Sequence, residues 1–190
     1  LPDREWLTGL AEVIKCGVLA DAEIVEFLEK TDLAGLKRNA KMIEEIVFRC
    51  VSIKARIVSH DENDTHGVRE LLNLGHTFAH ALESVTGYGR YTHGEAVSIG
   101  LCASCRLSSA MKMLSFPYVR RLETLLERWR MPTRPRRSVP RAALLRAMSR
   151  DKKTVGGKLR FVLPVRFGKA LTGQSVPLPL LNRVLNDVGF

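Results

Sequence analysis

Residues 69–95 read R-E-L-L-N-L-G-H-T-F-A-H-A-L-E-S-V-T-G-Y-G-R-Y-T-H-G-E, and this stretch decides how the rest of the chain is organised. Its apolar residues recur at the spacing of one helical face, which predicts an amphipathic helix over most of the stretch. Gly87 and Gly89 then end that helix, and His93 follows at the start of a second apolar helix. A helix, a glycine turn and a second helix can bring His93 back beside His76.

The histidines are concentrated in the same region. Three of the five, His76, His80 and His93, lie inside the stretch, and the other two closely precede it. His76 and His80 are four residues apart, so both project from one stripe of the predicted helix. Two interpretations as a metal site are open: the pair at helical spacing, or one of the pair with His93 and a carboxylate. The second set leaves a coordination position open, which suits a catalytic zinc.

Composition limits the class of protein. The 190 residues suit one domain or part of a longer chain, and 45% hydrophobic with 26% charged residues is typical of a soluble globular protein. No apolar run is long enough to span a membrane, and no signal-peptide pattern is present. The four cysteines lie in apolar helical contexts, and the pair Cys102 and Cys105 is interpreted as core. We therefore expect reduced, buried cysteines in a cytoplasmic protein with no membrane partner.

The net charge of +10 indicates an anionic partner of some kind, which could be nucleic acid, an acidic membrane surface or a small molecule. Few aromatic residues are interleaved with the basic ones and no nucleic-acid motif is recognisable, so we predict no nucleic-acid partner. Most of the charge is interpreted as solvated helix surface, and a smaller part as the lining of a pocket for phosphate or carboxylate. The excess is densest in the second half, at Arg120, Arg121, Arg128, Arg130, Arg134, Arg136, Arg137, Arg141, Arg146, Arg150, Lys152 and Lys153.

The periodicity of the whole chain predicts an all-α fold, a multi-helix bundle with one small β-hairpin near the C-terminus. Asp21 and Asp32 are candidate helix caps. Besides the histidine stretch, helices are predicted over residues 6–19, 22–30, 36–60, 96–113, 116–129, 142–148 and 178–188, and the hairpin over 159–172.

The first predicted helix carries an acidic residue in an apolar setting. Glu12 and Lys15 are three residues apart, and residues 11, 13, 14 and 16 around them are apolar. A partly buried carboxylate needs a cation or a metal as its partner. A surface ion pair between Glu12 and Lys15 is the simpler alternative.

Four separated blocks together resemble one known family. They are G-L-A-E-V-I-K at 9–15, L-L-N-L-G-H-T-F-A-H-A-L-E at 71–83, H-G-E-A-V-S-I-G-L at 93–101 and D-K-K at 151–153. In this order they resemble the C-terminal, metal-binding helical domain of 3-dehydroquinate synthase. The resemblance implies a lyase that converts the phosphorylated keto-acid sugar DAHP into 3-dehydroquinate and phosphate, in the shikimate pathway of aromatic amino acid biosynthesis. It also implies NAD, a divalent metal (Zn²⁺ or Co²⁺) and a homodimer.

The same resemblance assigns roles to residues of this chain. It implies that Glu12, His76 and His93 are the metal ligands, and that His80 is a proton-relaying group beside the metal and not a ligand. It further implies catalytic roles for Lys15, Lys54 and Asn73, and substrate-binding roles for Arg69, Lys152 and Asp64.

Three features depart from the family pattern. The loop D-E-N-D-T-H-G-V-R at 61–69 is one residue longer than usual and has Asp64 or Thr65 where a Glu is expected, and Ala79 replaces a usual Gly. No G-x-G-x-x-G and no βαβ pattern occurs, so no NAD-contacting residue is assigned. We therefore expect residues 1–190 to be one metal- and substrate-binding domain, with the N-terminal NAD-binding half absent and the isolated chain inactive.

Three alternatives remain. Another sugar-phosphate cyclase would share the metal set and differ in its anion-binding residues. A metal-dependent alcohol dehydrogenase of the glycerol type is disfavoured, because N-L-G-H-T-F-A-H and D-K-K fit the cyclases better. A basic nucleic-acid-binding helical module, from a different class, would bind nucleic acid with an affinity that falls steeply with salt and would carry no metal.

Overall fold

The computed structural model describes residues 1–61, 67–151 and 159–190, and in these parts the chain forms a bundle of α-helices with one two-stranded hairpin. This confirms the predicted fold class. The elements in chain order are α1 (Asp3–Ala20), α2 (Ala22–Leu28), α3 (Leu33–Arg38), α4 (Ala40–Ser59), a 3₁₀ helix (Arg69–Asn73), α5 (His76–Thr86), α6 (His93–Ala110), α7 (Phe116–Arg128), α8 (Arg141–Asp151), β1 (Arg160–Arg166), β2 (Lys169–Ser175) and α9 (Leu178–Val188). No helix in the described ranges is long and apolar enough to cross a membrane.

Helix α6 is the centre of the bundle, as its apolar sequence predicts. It is buried on almost every side, and α1, α5, α7, α9 and β1 pack against it. A capping box fixes where it begins: Glu95 N donates to Thr92 Oγ1 at 3.2 Å, and Thr92 N donates to Glu95 Oε2 at 2.9 Å. His93 is therefore the first residue of the helix.

Two glycines of α6 allow other elements to approach its backbone closely. A Cβ added at Gly94 would lie 2.4 Å from the carbonyl oxygen of Thr8 in α1. One added at Gly100 would lie 2.2 Å from the carbonyl oxygen of Gly75, the residue just before α5. Gly75 itself has φ +82, a backbone conformation that favours glycine. These contacts set α1 and the start of α5 against α6.

We expect Gly100→Ala to lower the free energy of unfolding by about 3 kcal/mol, since the added methyl group meets backbone atoms that cannot move aside. Urea denaturation of both proteins measures this. Gly9→Ala is the control, because a Cβ there meets nothing within 4 Å and Ala is favoured over Gly inside α1 by about 0.5–1 kcal/mol. Equal stability of the two variants would contradict the close contact between α6 and Gly75.

The hairpin closes the bundle beside α5. Strand β1 pairs antiparallel with β2, and its residues 161–163 are buried. The Phe161 ring stacks on Phe78 of α5 with ring centroids 5.4 Å apart. At the turn, Gly168 N donates to the carbonyl oxygens of Gly17 and Val18 in α1. The hairpin thus fixes α1 and α5 in place together.

Two predicted helices are interrupted in the structure. The single helix predicted over 36–60 is two helices, because Asn39 leaves the helical conformation (φ −117, ψ 87) and caps α4 by accepting from Met42 N at 3.1 Å. The histidine helix does not include residues 69–75: Arg69–Asn73 is a 3₁₀ helix, and Gly75 separates it from α5. Helical spacing of the leucines did not distinguish the two kinds of helix. The caps predicted at Asp21 and Asp32 are confirmed.

The cysteines are all free thiols. Cys102 and Cys105 are buried in α6, and burial raises the pKa of both thiols well above the usual range. The C-x-x-C pair is therefore core, as predicted. Cys16 and Cys50 are only partly buried, so the prediction of burial was wrong for these two, which lie on α1 and α4 near the surface.

Candidate metal centre

Three elements bring their donor atoms to one point. Glu12 lies in the middle of α1, whereas His76 and His93 are the first residues of α5 and α6. Glu12 Oε1 lies 3.4 Å from His76 Nε2 and 3.5 Å from His93 Nε2. One donor atom from each of the three residues lies within 4.8 Å of the other two. This group has the composition of a site with two imidazoles, one carboxylate and an open position.

Backbone packing explains why these three residues meet. The contact at Gly100 sets Gly75 against α6, so His76 begins its helix beside that of His93. The contact between Gly94 and Thr8 brings α1 to the same end of α6, and Glu12 follows Thr8 by one helical turn. The site therefore depends on glycine contacts in the core as well as on its own side chains.

The hydrogen bonds of the two imidazoles fix which nitrogen faces Glu12. His76 Nδ1 lies 3.2 Å from the Leu74 carbonyl oxygen, and His93 Nδ1 lies 3.4 Å from Glu83 Oε1. Both oxygens accept hydrogen bonds, so Nδ1 carries the proton in the neutral ring and the Nε2 lone pair points at Glu12. Burial, together with the charge of Lys15, lowers the pKa of His76 to about 4. His76 is therefore neutral at neutral pH.

The Glu12 carboxyl group is ionised, and only one of its two oxygens has a hydrogen-bond partner within the described ranges. Burial opposes its ionisation, but the Lys15 ammonium outweighs burial and lowers the pKa of the Glu12 carboxyl. Lys15 Nζ lies 2.5 Å from Oε2, and the Lys15 side chain is only 8% exposed. Oε1 is buried and has no hydrogen-bond partner among the described residues. A carboxylate oxygen that faces the Nε2 atoms of two imidazoles and has no hydrogen-bond partner of its own fits a divalent cation.

Two other predicted site residues, Lys15 and His80, lie beside this group. Lys15 is paired with Glu12 as described. The His80 ring stands edge-on to His76 with centroids 5.2 Å apart, and 6.3 Å from the ring of His93. His80 is not one of the three converging residues. Of the two metal interpretations left open by the sequence, the geometry favours the set that includes His93.

For the remaining predicted residues, the structure gives only their place and exposure in the fold, or they lie outside the described parts. Lys54 is exposed on α4, Arg69 is partly buried at the start of the 3₁₀ helix, and Asn73 is exposed at its end. Asp64 and Lys152 lie outside the described residues. The substrate-binding and catalytic roles of these five residues stay predictions.

Two glutamates were not assigned a role from the sequence. Glu83 orients His93 through its contact with Nδ1, and its position three residues after His80 on the same stripe was the available signal. Glu95 caps α6 and also binds Arg4 at 3.1 Å and Arg136 at 2.5 Å. The pattern T-H-G-E at 92–95 is the capping-box signature that could have identified it.

Solved structures share this arrangement of helices. The 2-epi-5-epi-valiolone synthase of Streptomyces hygroscopicus subsp. jinggangensis, solved with NAD⁺ and Zn²⁺ bound, matches with a TM-score of 0.86 at 22% identity, over 99% of this chain and 52% of that one. A 2-deoxy-scyllo-inosose synthase complexed with carbaglucose-6-phosphate, NAD⁺ and Co²⁺ matches with a TM-score of 0.82 at 21% identity, over 99% and 53%. The fold is thus the one that forms about half of these sugar-phosphate cyclases.

Sequence comparisons narrow this class to one family. The family model described as 3-dehydroquinate synthase C-terminal matches residues 9–154. The chain is 42% identical to the 3-dehydroquinate synthase of Opitutus terrae over 100% of its length, and 43% identical to that of Gloeobacter violaceus over 99%. It belongs to the 3-dehydroquinate synthase family, as the C-terminal domain. The chain spans about half (52%) of the length of each of these curated relatives.

Proposed function

We propose that this chain is the metal- and substrate-binding half of a 3-dehydroquinate synthase, which converts DAHP into 3-dehydroquinate and phosphate in the shikimate pathway. The observation that carries the proposal is the convergence of Glu12 Oε1 with Nε2 of His76 and His93 at 3.4 and 3.5 Å, where Oε1 is buried and has no hydrogen-bond partner among the described residues. The names of the relatives that are 42% and 43% identical support the choice of reaction.

The proposed cofactors are a divalent metal, Zn²⁺ or Co²⁺, held by Glu12, His76 and His93, and NAD. Two similar folds were solved with NAD⁺ and one of these metals. A metal at this position would lower the pKa of a substrate hydroxyl beside it. NAD would be bound mainly by the part of the relatives that this chain does not cover, so residues 1–190 would be a single metal- and substrate-binding domain.

The chain's own residues would hold the substrate and move its protons. His80 adjoins the metal ligands without being one, which suits a group that takes a proton from a substrate hydroxyl and returns it. Lys15 keeps Glu12 ionised and adds a positive charge beside the proposed metal ligands. The support for these two roles is the contact of the His80 ring with His76 and the ion pair between Lys15 and Glu12.

The substrate carries a phosphate and a carboxylate, so the site needs countercharge. We assign Lys54, Arg69 and Lys152 to these anions, since ammonium and guanidinium groups bind both. Asn73 and Asp64 would hydrogen-bond the sugar hydroxyls. For all five residues the support is the sequence resemblance, and Asp64 and Lys152 also lie outside the described residues.

Three further properties follow from the family resemblance: the reaction class of a lyase, a homodimer and a cytoplasmic location. The dimer would form with the nucleotide-binding half present. Light scattering of a full-length protein containing this domain tests the dimer directly.

Substrate choice tests the proposed function. Fused to the nucleotide-binding half of a relative, with Zn²⁺ and NAD, this chain should release phosphate from DAHP and not from glucose 6-phosphate, because only DAHP offers a carboxylate to the basic residues. Phosphate release and the mass of the product are measured. Zinc content and NAD binding of the fusion show that it is assembled. Turnover of glucose 6-phosphate without turnover of DAHP would assign the chain to a different sugar-phosphate cyclase.

A further inference from the structure

An open groove of about 840 Å³ adjoins the metal centre. One wall is formed by α5 and the start of α6, with His80, Glu83 and His93. The other wall is α8, which packs against α5 and contributes Arg146 and Arg150. The groove therefore joins the proposed metal site to a pair of cations that neither the family resemblance nor the metal centre uses.

Several arginines of the second half have structural partners. Arg121 binds the Glu29 carboxylate through two nitrogens at 2.7 and 2.8 Å, Arg136 binds Glu95 at 2.5 Å, and Arg141 donates to the Asn186 side chain. These contacts account for part of the basic excess as packing between elements. They do not account for Arg146 and Arg150, the two arginines that line the groove.

Arg146 and Arg150 differ from these residues. Both are exposed, and they are four residues apart in α8, so they stand one helical turn apart on one face. Neither forms a salt bridge or a side-chain hydrogen bond with any residue in the described ranges. Two guanidinium groups that face the same groove without a carboxylate partner form a site for an anion.

The acidic residue of the groove does not compete for the arginines. Glu83 is only 14% exposed and its carboxylate contacts His93 Nδ1 at 3.4 Å. It is therefore engaged in orienting a proposed metal ligand. The groove thus has positive charge on the α8 wall and a metal-binding group at the opposite wall, which suits a ligand with an anion at one end and hydroxyls at the other.

We propose that Arg146 and Arg150 bind the anionic end of a small phosphorylated sugar acid whose hydroxyl groups reach the metal centre. This inference rests on the proposed function, since the sugar acid is the substrate of that reaction. The α8 wall thereby becomes a specificity-determining surface for the same site.

A titration with phosphonoacetate tests the proposal. This small dianion carries a phosphonate and a carboxylate, and metal-free protein is used so that the probe cannot bind through zinc. We expect Arg146→Gln and Arg150→Gln each to raise the Kd about tenfold, measured by calorimetry or by amide chemical shifts. The control is Arg120→Gln, which removes an exposed arginine of α7 that does not line the groove. It should change the Kd for phosphonoacetate by less than about twofold.

Two outcomes would overturn the proposal. An equal loss in Arg120→Gln would show that the probe responds to net charge and not to the groove. A parallel titration with ADP distinguishes the other source of phosphate: if the arginine variants lose affinity for ADP and keep it for phosphonoacetate, the groove belongs to the dinucleotide. Neither titration requires zinc or turnover, so a failure of the proposed reaction is seen separately, in the metal content and in phosphate release from DAHP.

Discussion

His93→Ala should abolish tight zinc binding, whereas His80→Ala should retain about one zinc ion per chain. His93 Nε2 is one of the three donor atoms that converge on Glu12 Oε1, so its loss leaves two ligands. His80 stands beside the group and supplies none of its donor atoms. Zinc content after dialysis and competition with a chromophoric chelator measure the difference, and we expect more than about 100-fold in affinity for His93→Ala, since even residues that orient ligands contribute 10–100-fold.

Glu83→Gln is a graded control for the same site. The amide oxygen of Gln can still accept a hydrogen bond from His93 Nδ1, but the ring loses the carboxylate that raises its basicity. We expect a loss of about tenfold in zinc affinity, between the two histidine variants. Circular dichroism of each variant checks that the helices persist. Retention of zinc in His93→Ala with loss in His80→Ala would return the site to the pair at helical spacing.

Local features of the chain were predictable because they depend on spacing within one element. The separation of His76 and His80, the caps at Asp21 and Asp32 and the buried pair Cys102 and Cys105 are all contained in a few consecutive residues. The apolar sequence of α6 likewise indicates burial on all sides. Such patterns are enough to specify the fold class.

Contacts between distant elements were not predictable in this way. Glu12 meets His93 across the chain because Gly94 lets the backbone of Thr8 approach α6, and no periodicity reports such a crossing. The resemblance to a known family supplied that pairing. The helix break at Asn39 was missed because Asn occurs both inside helices and as a cap, and only its accepted bond from Met42 N decides between them.

The roles of individual basic residues were likewise not predictable from the sequence. Composition indicates an anionic partner, and the sequence places the excess in the second half, but it does not separate Arg121, which binds Glu29, from Arg146, which lines the groove. That distinction depends on which face of each helix is packed against a carboxylate.

The isolated 190-residue chain should bind zinc and yet show no NAD-dependent release of phosphate from DAHP above the rate without protein. Hydride transfer requires the nicotinamide ring and the substrate carbon in near-attack geometry, which depends on groups that hold the dinucleotide. The chain has no G-x-G-x-x-G pattern and covers 52% of relatives that carry the name of the complete enzyme. We therefore expect one preparation of the isolated chain to bind zinc and to release no phosphate from DAHP.

The second part of this test restores phosphate release by supplying a nucleotide-binding half. Adding the nucleotide-binding half of a relative, fused or as a separate polypeptide, should produce phosphate release that His93→Ala abolishes. The nucleotide-binding half alone is the second control, and it should be inactive because it lacks Glu12, His76 and His93. If the isolated chain turned over DAHP with NAD, the dinucleotide would have to bind within residues 1–190. The division of labour proposed between the two halves would then be wrong, and the groove beside α8 would be the first place to look for the cofactor.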